Sequence, residues 1–208
     1  MQYGFHINAR RCTGCKACVM ACKDLHDLGI EVSFRQVYEY GGGEWHRDAG
    51  GVCSQNAFAY YVSVACNHCM NSACIKVCPT GAMHKDEAGL VSVDVRRCIG
   101  CGYCALSCPY RAPKVDRDAG HSVKCDGCGG RTAMGLRPVC VEACPRRALD
   151  FGPIDELAEA YGRCSDLPPL PDASATSPQL VVTLPTVARE DPERVAHEGR
   201  VLNIREIA

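Results

Sequence analysis

The chain has 208 residues, of which 18 are cysteine, with an aromatic content of 6% and an apolar fraction of 47% that counts cysteine as apolar. Without the cysteines the ordinary core is thin for this length, so something besides hydrophobic burial must hold much of the fold together. A formal charge of -1 excludes a strongly basic nucleic-acid binder and a strongly acidic solvating chain.

Residues 1–8 lack a basic region followed by an apolar stretch and a cleavage site, so no secretory signal is expected there. No run approaches the ~18 apolar residues that a membrane span requires, so no direct span is expected either. Tyr3 to Ile7 predicts a short strand leading into the first of four cysteine sets, Cys12, Cys15, Cys18 and Cys22. Residues 23–65 are an insertion in which Val32 to Tyr40 alternates like a strand and pairs with Phe58 to Ala65. Gly41-Gly42-Gly43 reads as a turn, because no G-K-[ST] follows and no strand-to-helix fingerprint surrounds it.

The second set, Cys66, Cys69, Cys74 and Cys78, follows the strand. Asp86-Glu87-Ala88-Gly89 predicts a hairpin turn, and Leu90 to Val95 a strand into the third set, Cys98, Cys101, Cys104 and Cys108. Asp116 to Gly120 predicts another hairpin turn before the fourth set, Cys125, Cys128, Cys140 and Cys144. Pro153 to Tyr161 reads as a short helix closed by Gly162. From Cys164 onward six prolines, few aromatics and no clear periodicity predict an extended tail, either disordered or laid over a partner.

Spacing inside the sets is the most informative feature. Sets one and three read C-x2-C-x2-C-x3-C, whereas set two widens the middle gap to four residues and set four to eleven. Three close cysteines on a looping backbone can ligate three irons of a cubane cluster, and the fourth points away to the other cluster of a pair. Gly14, Gly100 and Gly127 stand just before the second cysteine, where the loop requires unusual dihedrals. Pro79, Pro109 and Pro145 follow the last cysteine and fix the backbone as it leaves. The sets also share a repeat, C-P-x-x-A, at Cys78, Cys108 and Cys144. The elements predict an α+β chain of two tandem bacterial-ferredoxin-like modules, a β insertion and an extended C-terminal tail.

Structural zinc would use paired C-x2-C motifs, but gives no reason for a third cysteine two residues on or for the C-P ending. Disulfides would leave most of the chain unstapled. Cys53 and Cys164 have no cysteine nearby and read as ordinary free thiols. His68 lies inside set two, which already has four thiols; the other histidines show no metal-ligand spacing.

Four cubane clusters imply the carriage of single electrons. The chain has no nucleophile motif, no flavin or nicotinamide fingerprint and no spare cluster ligand site. The clusters would take the formal charge from -1 to about -9. Cations offset this: Arg10, Arg11, Lys16 and Lys23 flank set one, and Arg96, Arg97, Arg111 and Lys114 flank set three. Lys124, Arg131, Arg137, Arg146 and Arg147 flank set four.

Gln2-Tyr3-Gly4-Phe5, Arg11-Cys12-Thr13-Gly14-Cys15-Lys16, Glu31-Val32-Ser33-Phe34-Arg35, Cys66-Asn67-His68-Cys69, Cys98-Ile99-Gly100-Cys101 and Ala148 to Leu157 carry a family resemblance. Over roughly residues 2–157 the chain resembles the iron-sulfur electron-transfer subunits of bacterial dimethyl sulfoxide reductases. The cysteine frame alone is shared with subunits of nitrate, polysulfide and tetrathionate reductases and formate dehydrogenase.

The resemblance implies that sets one and four pair, and sets two and three. Cys12, Cys15, Cys18 and Cys144 would hold a first [4Fe-4S] cluster, and Cys22, Cys125, Cys128 and Cys140 a second. Cys66, Cys69, Cys74 and Cys108 would hold a third, and Cys78, Cys98, Cys101 and Cys104 a fourth. The implied division is one module of residues 1–22 plus 120–162, a β insertion of 23–65, a second module of 66–119 and the tail of 163–208. Related nitrate reductase subunits have tryptophan at the position of Cys101 and hold a three-iron cluster there, so the cysteine predicts four cubanes.

The resemblance further implies two partners, a molybdopterin catalytic subunit that reduces a sulfoxide or N-oxide and an integral-membrane quinol-oxidising anchor. Electrons would enter at the fourth cluster and leave from the first. Co-export with the catalytic subunit would place the chain on the outer face of the cytoplasmic membrane; a catalytic subunit without an export signal would leave it in the cytoplasm. The alternatives are the same relay serving a reductive dehydroxylase or a tetrathionate, polysulfide or formate enzyme, a free polyferredoxin, or a zinc-binding interaction module.

Overall fold

The computed structural model describes residues 1–207. In chain order the strands are β1 (Tyr3–Asn8), β2 (Gln36–Gly42), β3 (Trp45–Arg47), β4 (Cys53–Gln55), β5 (Phe58–Val64) and β6 (Met83–Lys85). They continue with β7 (Val91–Val93), β8 (Lys114–Asp116), β9 (His121–Val123), β10 (Leu149–Pro153), β11 (Leu180–Thr183) and β12 (Arg200–Val201). The helices are α1 (Ala17–Leu25), α2 (Ala73–Lys76), α3 (Tyr103–Ser107), α4 (Gly129–Thr132), α5 (Val139–Glu142), α6 (Ile154–Tyr161), α7 (Thr186–Glu190) and α8 (Pro192–Glu198). The mixture of short helices and small sheets is α+β, as expected.

β1 is the centre of a three-stranded sheet, antiparallel to β10 and parallel to β11. Its Phe5 and Ile7 are buried with Leu149, Leu180 and Val182, and the Phe5 ring packs 4.8 Å from that of Phe151. A second sheet, in the order β12-β2-β5, is built on the insertion. Three two-stranded hairpins complete the sheets, β3-β4, β6-β7 and β8-β9. The last two turn at Asp86–Gly89 and Asp116–Gly120, where side-chain oxygens of Asp86 and Asp116 accept the N-H groups of Leu90 and Ala119. α6 begins after Pro153, with Asp155 and Glu156 favourably placed against the positive end of its dipole, and closes at Gly162 (φ 93°).

Two expectations for the insertion need correction. The strand starts at Gln36 and not Val32, because Lys23 Nζ donates to the carbonyls of Gly29, Ile30 and Val32 and holds 29–32 as a looped segment. Phe34 and Arg35 then turn into the interior. Gly41 and Gly42 are not a turn but strand residues opposite Ala59 and Phe58; the chain leaves the sheet at Gly43 (φ 88°) into the exposed β3-β4 hairpin.

The larger correction concerns residues 163–208, expected to be extended and either disordered or laid over a partner. Up to residue 207 they fold back onto their own chain. Leu180, Val181 and Val182 are buried, and β11 fills the open edge of β1. Val195 of α8 is 0% exposed, and its carbonyl accepts the Tyr40 hydroxyl at 3.1 Å. β12 pairs with β2, and the Pro168 carbonyl accepts the Tyr60 hydroxyl at 2.6 Å. The proline content marks corners between short elements rather than a loose strap.

Candidate metal centres

Each cysteine set is laid out by the same local geometry. The first two cysteines lie in a loop, the third on a short helix, and the fourth one turn later. Thus Cys18 and Cys22 both lie on α1, Cys74 on α2 precedes Cys78, Cys104 on α3 precedes Cys108, and Cys140 on α5 precedes Cys144. Four helical residues rise ~6 Å, enough for the third and fourth thiols of a set to serve different centres. The loop requires left-handed backbone at Gly14 (φ 69°), Gly100 (φ 68°) and Gly127 (φ 75°). A Cβ on Gly100 would lie 2.6 Å from the Gly120 carbonyl oxygen, so this position also serves a close backbone approach.

In set two the same position belongs to His68, whose φ is 44° and whose side chain is 0% exposed. Its Nδ1 accepts the Val91 N-H at 2.8 Å, and burial holds the ring well below its usual pKa, hence neutral. His68 therefore braces the loop against β7. The wider gap of set two is closed by Ser72, whose hydroxyl donates to the Cys69 carbonyl at 2.5 Å. The eleven-residue gap of set four is filled by α4 and the loop after it, tied by an Arg131–Glu142 ion pair.

The fold brings the sets together in pairs. Cys12, Cys15, Cys18 and Cys144 line one small cavity, Cys66, Cys69, Cys74 and Cys108 a second, and Cys78, Cys98, Cys101 and Cys104 a third. The remaining four, Cys22, Cys125, Cys128 and Cys140, are all buried where α1 packs on α5, close enough that Cys140 and Cys128 push up the Cys22 thiol pKa. The quartets adjoin in order. Cys18 and Cys140 interact between the first and second, Cys66 and Cys125 between the second and third, and Cys74 and Cys104 share an apolar cluster between the third and fourth. Cys53 is exposed on β4, and the Cys164 thiol donates to the Asp166 carbonyl at 3.3 Å; neither joins a quartet.

The width of the quartets tests which metal suits them. A tetrahedral zinc with bonds of ~2.3 Å would draw its four sulfurs to within about 3.8 Å of one another. Among the described residues no cysteine quartet brings three sulfurs within 4.8 Å of each other. The quartets are therefore too open for a four-sulfur zinc site, and disulfides are absent among the described residues. Backbone donors also reach the sulfurs: Met83 N-H to Cys78 at 3.4 Å, Ser122 N-H to Cys98 at 3.3 Å and Ala148 N-H to Cys144 at 3.2 Å. Such donors stabilise thiolate ligands carrying negative charge.

Burial sets the electrostatics. It pushes the thiols of Cys12 and Cys69 up to about 11 and those of Cys22 and Cys74 to about 12, with neighbouring thiols adding to the rise. Cys78 differs: burial pushes it up, but N-H groups of Met83, Thr80 and Ala82 and the Thr80 hydroxyl outweigh this and leave it below its usual value. Burial raises the pKa of eight of the sixteen quartet thiols, and metal insertion must drive their deprotonation.

Two features carry no signal in the sequence. His26, at the end of α1, places Nε2 3.9 Å from Cys128 Sγ beside Asp126, a proximity that no residue spacing marks. Arg35 is buried between the first two quartets although it lies outside every cysteine set.

Known proteins resemble the chain over most of its length. A 4Fe-4S dicluster domain model matches residues 57–154, and a 4Fe-4S binding domain model residues 3–24. The B subunit of anaerobic dimethyl sulfoxide reductase from Haemophilus influenzae is 57% identical over 181 residues, covering 87% of this chain and 88% of its own. The chain belongs to the family of dimethyl sulfoxide reductase B subunits. Within this family the Escherichia coli K12 subunit is 58% identical over the same shares of both chains. The thiosulfate reductase electron transfer subunit PhsB of Salmonella typhi is 40% identical, covering 74% of this chain and 78% of its own. As a family member the chain is an iron-sulfur electron-transfer subunit, not the catalytic part of a reductase. A [4Fe-4S] cluster, when bound, supplies a one-electron couple. Among the described residues no helix is long and apolar enough to cross a membrane.

Proposed function

We propose that the sixteen set cysteines hold four [4Fe-4S] clusters, with the ligands of each drawn from two sets as the quartets are grouped above. The observation that carries this is the adjoining of four wide thiol quartets in one row, each made from two sets distant in sequence. Two two-cluster modules, 1–22 with 120–162 and 66–119, fit this grouping. The protein scaffold does three things for such a row. It excludes water from the inner thiols, supplies N-H donors to the sulfurs and keeps neighbouring centres in contact. Iron and sulfide analysis of anaerobically purified protein should return about 16 of each per chain. A zinc-only result, or a strong three-iron EPR signal in anaerobic protein, would contradict the assignment.

The row would relay electrons between a quinol-oxidising membrane anchor and a molybdopterin catalytic subunit, most closely one reducing dimethyl sulfoxide or an N-oxide. The 57% identity to a dimethyl sulfoxide reductase B subunit supports this choice. The 40% identity to a thiosulfate reductase subunit supports the same relay with another catalytic subunit as the second reading. Purification from the native host discriminates: co-elution with a molybdenum subunit active on dimethyl sulfoxide supports the first, and one active only on an inorganic sulfur substrate the second. A brown monomer would point to a free polyferredoxin. Placement on the outer face of the cytoplasmic membrane by co-export is tested by protease access in spheroplasts, where full protection would assign the cytoplasmic face.

A further inference from the structure

Among the described residues Arg35 is the largest fully buried side chain, with 1% exposure. Its Nη1 donates to the Ser63 carbonyl at 3.1 Å and the Ser63 hydroxyl at 3.2 Å, and its Cζ lies 4.9 Å over the Phe5 ring. Nε and Nη2 are buried with no hydrogen-bond partner. Among the described residues no aspartate or glutamate forms an ion pair with it. The groups that face it with the capacity for negative charge are Cys18 of the first quartet and Cys22, Cys125 and Cys140 of the second. Ser63, which Arg35 grips, lies 3.3 Å from Cys18 Sγ.

A guanidinium does not shed its proton in a protein, and a buried charge without a counter-charge is strongly unfavourable. An arginine held in this way calls for negative charge beside it, and the two cysteine quartets it touches are where iron-sulfur clusters would bring it. We propose that Arg35 is an internal counter-cation shared by the first and second clusters, placed so that it raises the reduction potential of both. This rests on the ligand assignment above. Reduction of either cluster adds one electron and no proton, so its negative charge grows by one and a fixed cation favours the reduced form. Water is excluded at this site, so the attraction is screened far less than at the surface. Arg97 offers the contrast: it is exposed and spends Nη2 on the Thr80 carbonyl at 2.7 Å. Lys124, buried between the second and third quartets, differs in donating to two carbonyls, those of Val91 and Cys125.

The test is an EPR-monitored redox titration of the intact complex purified from its host, comparing Arg35→Met, Arg35→Lys and Arg97→Ala with the native chain. Iron is counted first: a native chain below about 16 iron atoms fails the ligand assignment itself, separately from this proposal. In fully loaded Arg35→Met the reduction equilibrium constants of the first and second clusters should fall at least tenfold, or ~59 mV each. Those of the third and fourth should move less than threefold, as should all four in Arg97→Ala. Arg35→Lys should restore both to within threefold of native. Unchanged first and second potentials in loaded Arg35→Met, or an equal fall in all four, would overturn the proposal. If Arg35→Met does not load, the lysine variant decides: full loading with native-like potentials supports the counter-cation, and equal failure to load assigns Arg35 to packing alone.

Discussion

The two halves of the protein are held together by different means. The half carrying sets one and four is built on two three-stranded sheets and a large apolar core that includes Phe5, Ile7, Val62, Leu149 and Val182. The half carrying sets two and three has the β6-β7 hairpin and β8; its Cys66, Tyr110 and Ala112 join the large core, and its own small core is Cys74, Met83, Val91 and Cys104, half of it cysteine. The contrast locates where the thin core matters. The first half can bury enough apolar surface to support its sheets, whereas the outer part of the second, around β6 and β7, depends on whatever binds its thiols. Exposure follows a related gradient: Cys15 and Cys101, in the first and fourth quartets, are exposed, while every cysteine of the second quartet is buried. The ends of the row are open to solvent and its middle is shielded.

Removing the metal should separate the halves most sharply. Anaerobic chelation of iron, followed by hydrogen exchange, should abolish protection in β6 and β7 while β1, β2, β5 and β11 keep measurable protection. Equal loss in both halves would break the comparison. Next in size, Leu180→Ala should cost about 2–5 kcal/mol by opening a cavity beside β1, read as a lower melting temperature with iron content retained. Met83→Ala, a similar truncation in the second half, should instead show first as loss of iron.

Acid should act on the first half. His6 on β1 is 3% exposed, stacks on Tyr161 at 3.6 Å and hydrogen-bonds Thr183 Oγ1 at 2.9 Å. Burial lowers its pKa to about 4, with Asp150 raising it and Arg11 lowering it further. Between the unfolded value near 6.5 and 4 the unfolded chain binds the proton that the folded chain refuses, so stability falls as pH drops through that window. Denaturant titrations should show this slope, and His6→Gln should flatten it. The smallest effect is expected for Cys53→Ser: the thiol is exposed on β4, and iron content and melting temperature should not change.

The hairpin turns, the helix closed by Gly162 and the layout of the cysteine sets were legible because they depend mostly on residues near one another in the chain. The β2-β5 pairing was legible from the alternation of two neighbouring segments. The strand start at Gln36 was not, because it depends on Lys23 tying down the carbonyls of 29–32, a tertiary cap inside an alternating pattern. Arg35 was equally hidden. It sits thirteen residues beyond Cys22, and nothing in its neighbours marks it as interior.

By itself the sequence determined the chemistry: cysteines three and four residues apart, a glycine that permits left-handed backbone and a proline at the exit dictate how thiols leave one loop. It also determined that electrons, not substrates, are handled. That residues 163–207 close the sheet around β1, and that one arginine is buried between two quartets, emerge only in three dimensions. The physical reason is range. Loop and helix geometry acts over a turn, but the parallel pairing of β11 with β1 and the burial of Arg35 join residues far apart in the chain, whose contact leaves no periodic trace in either segment.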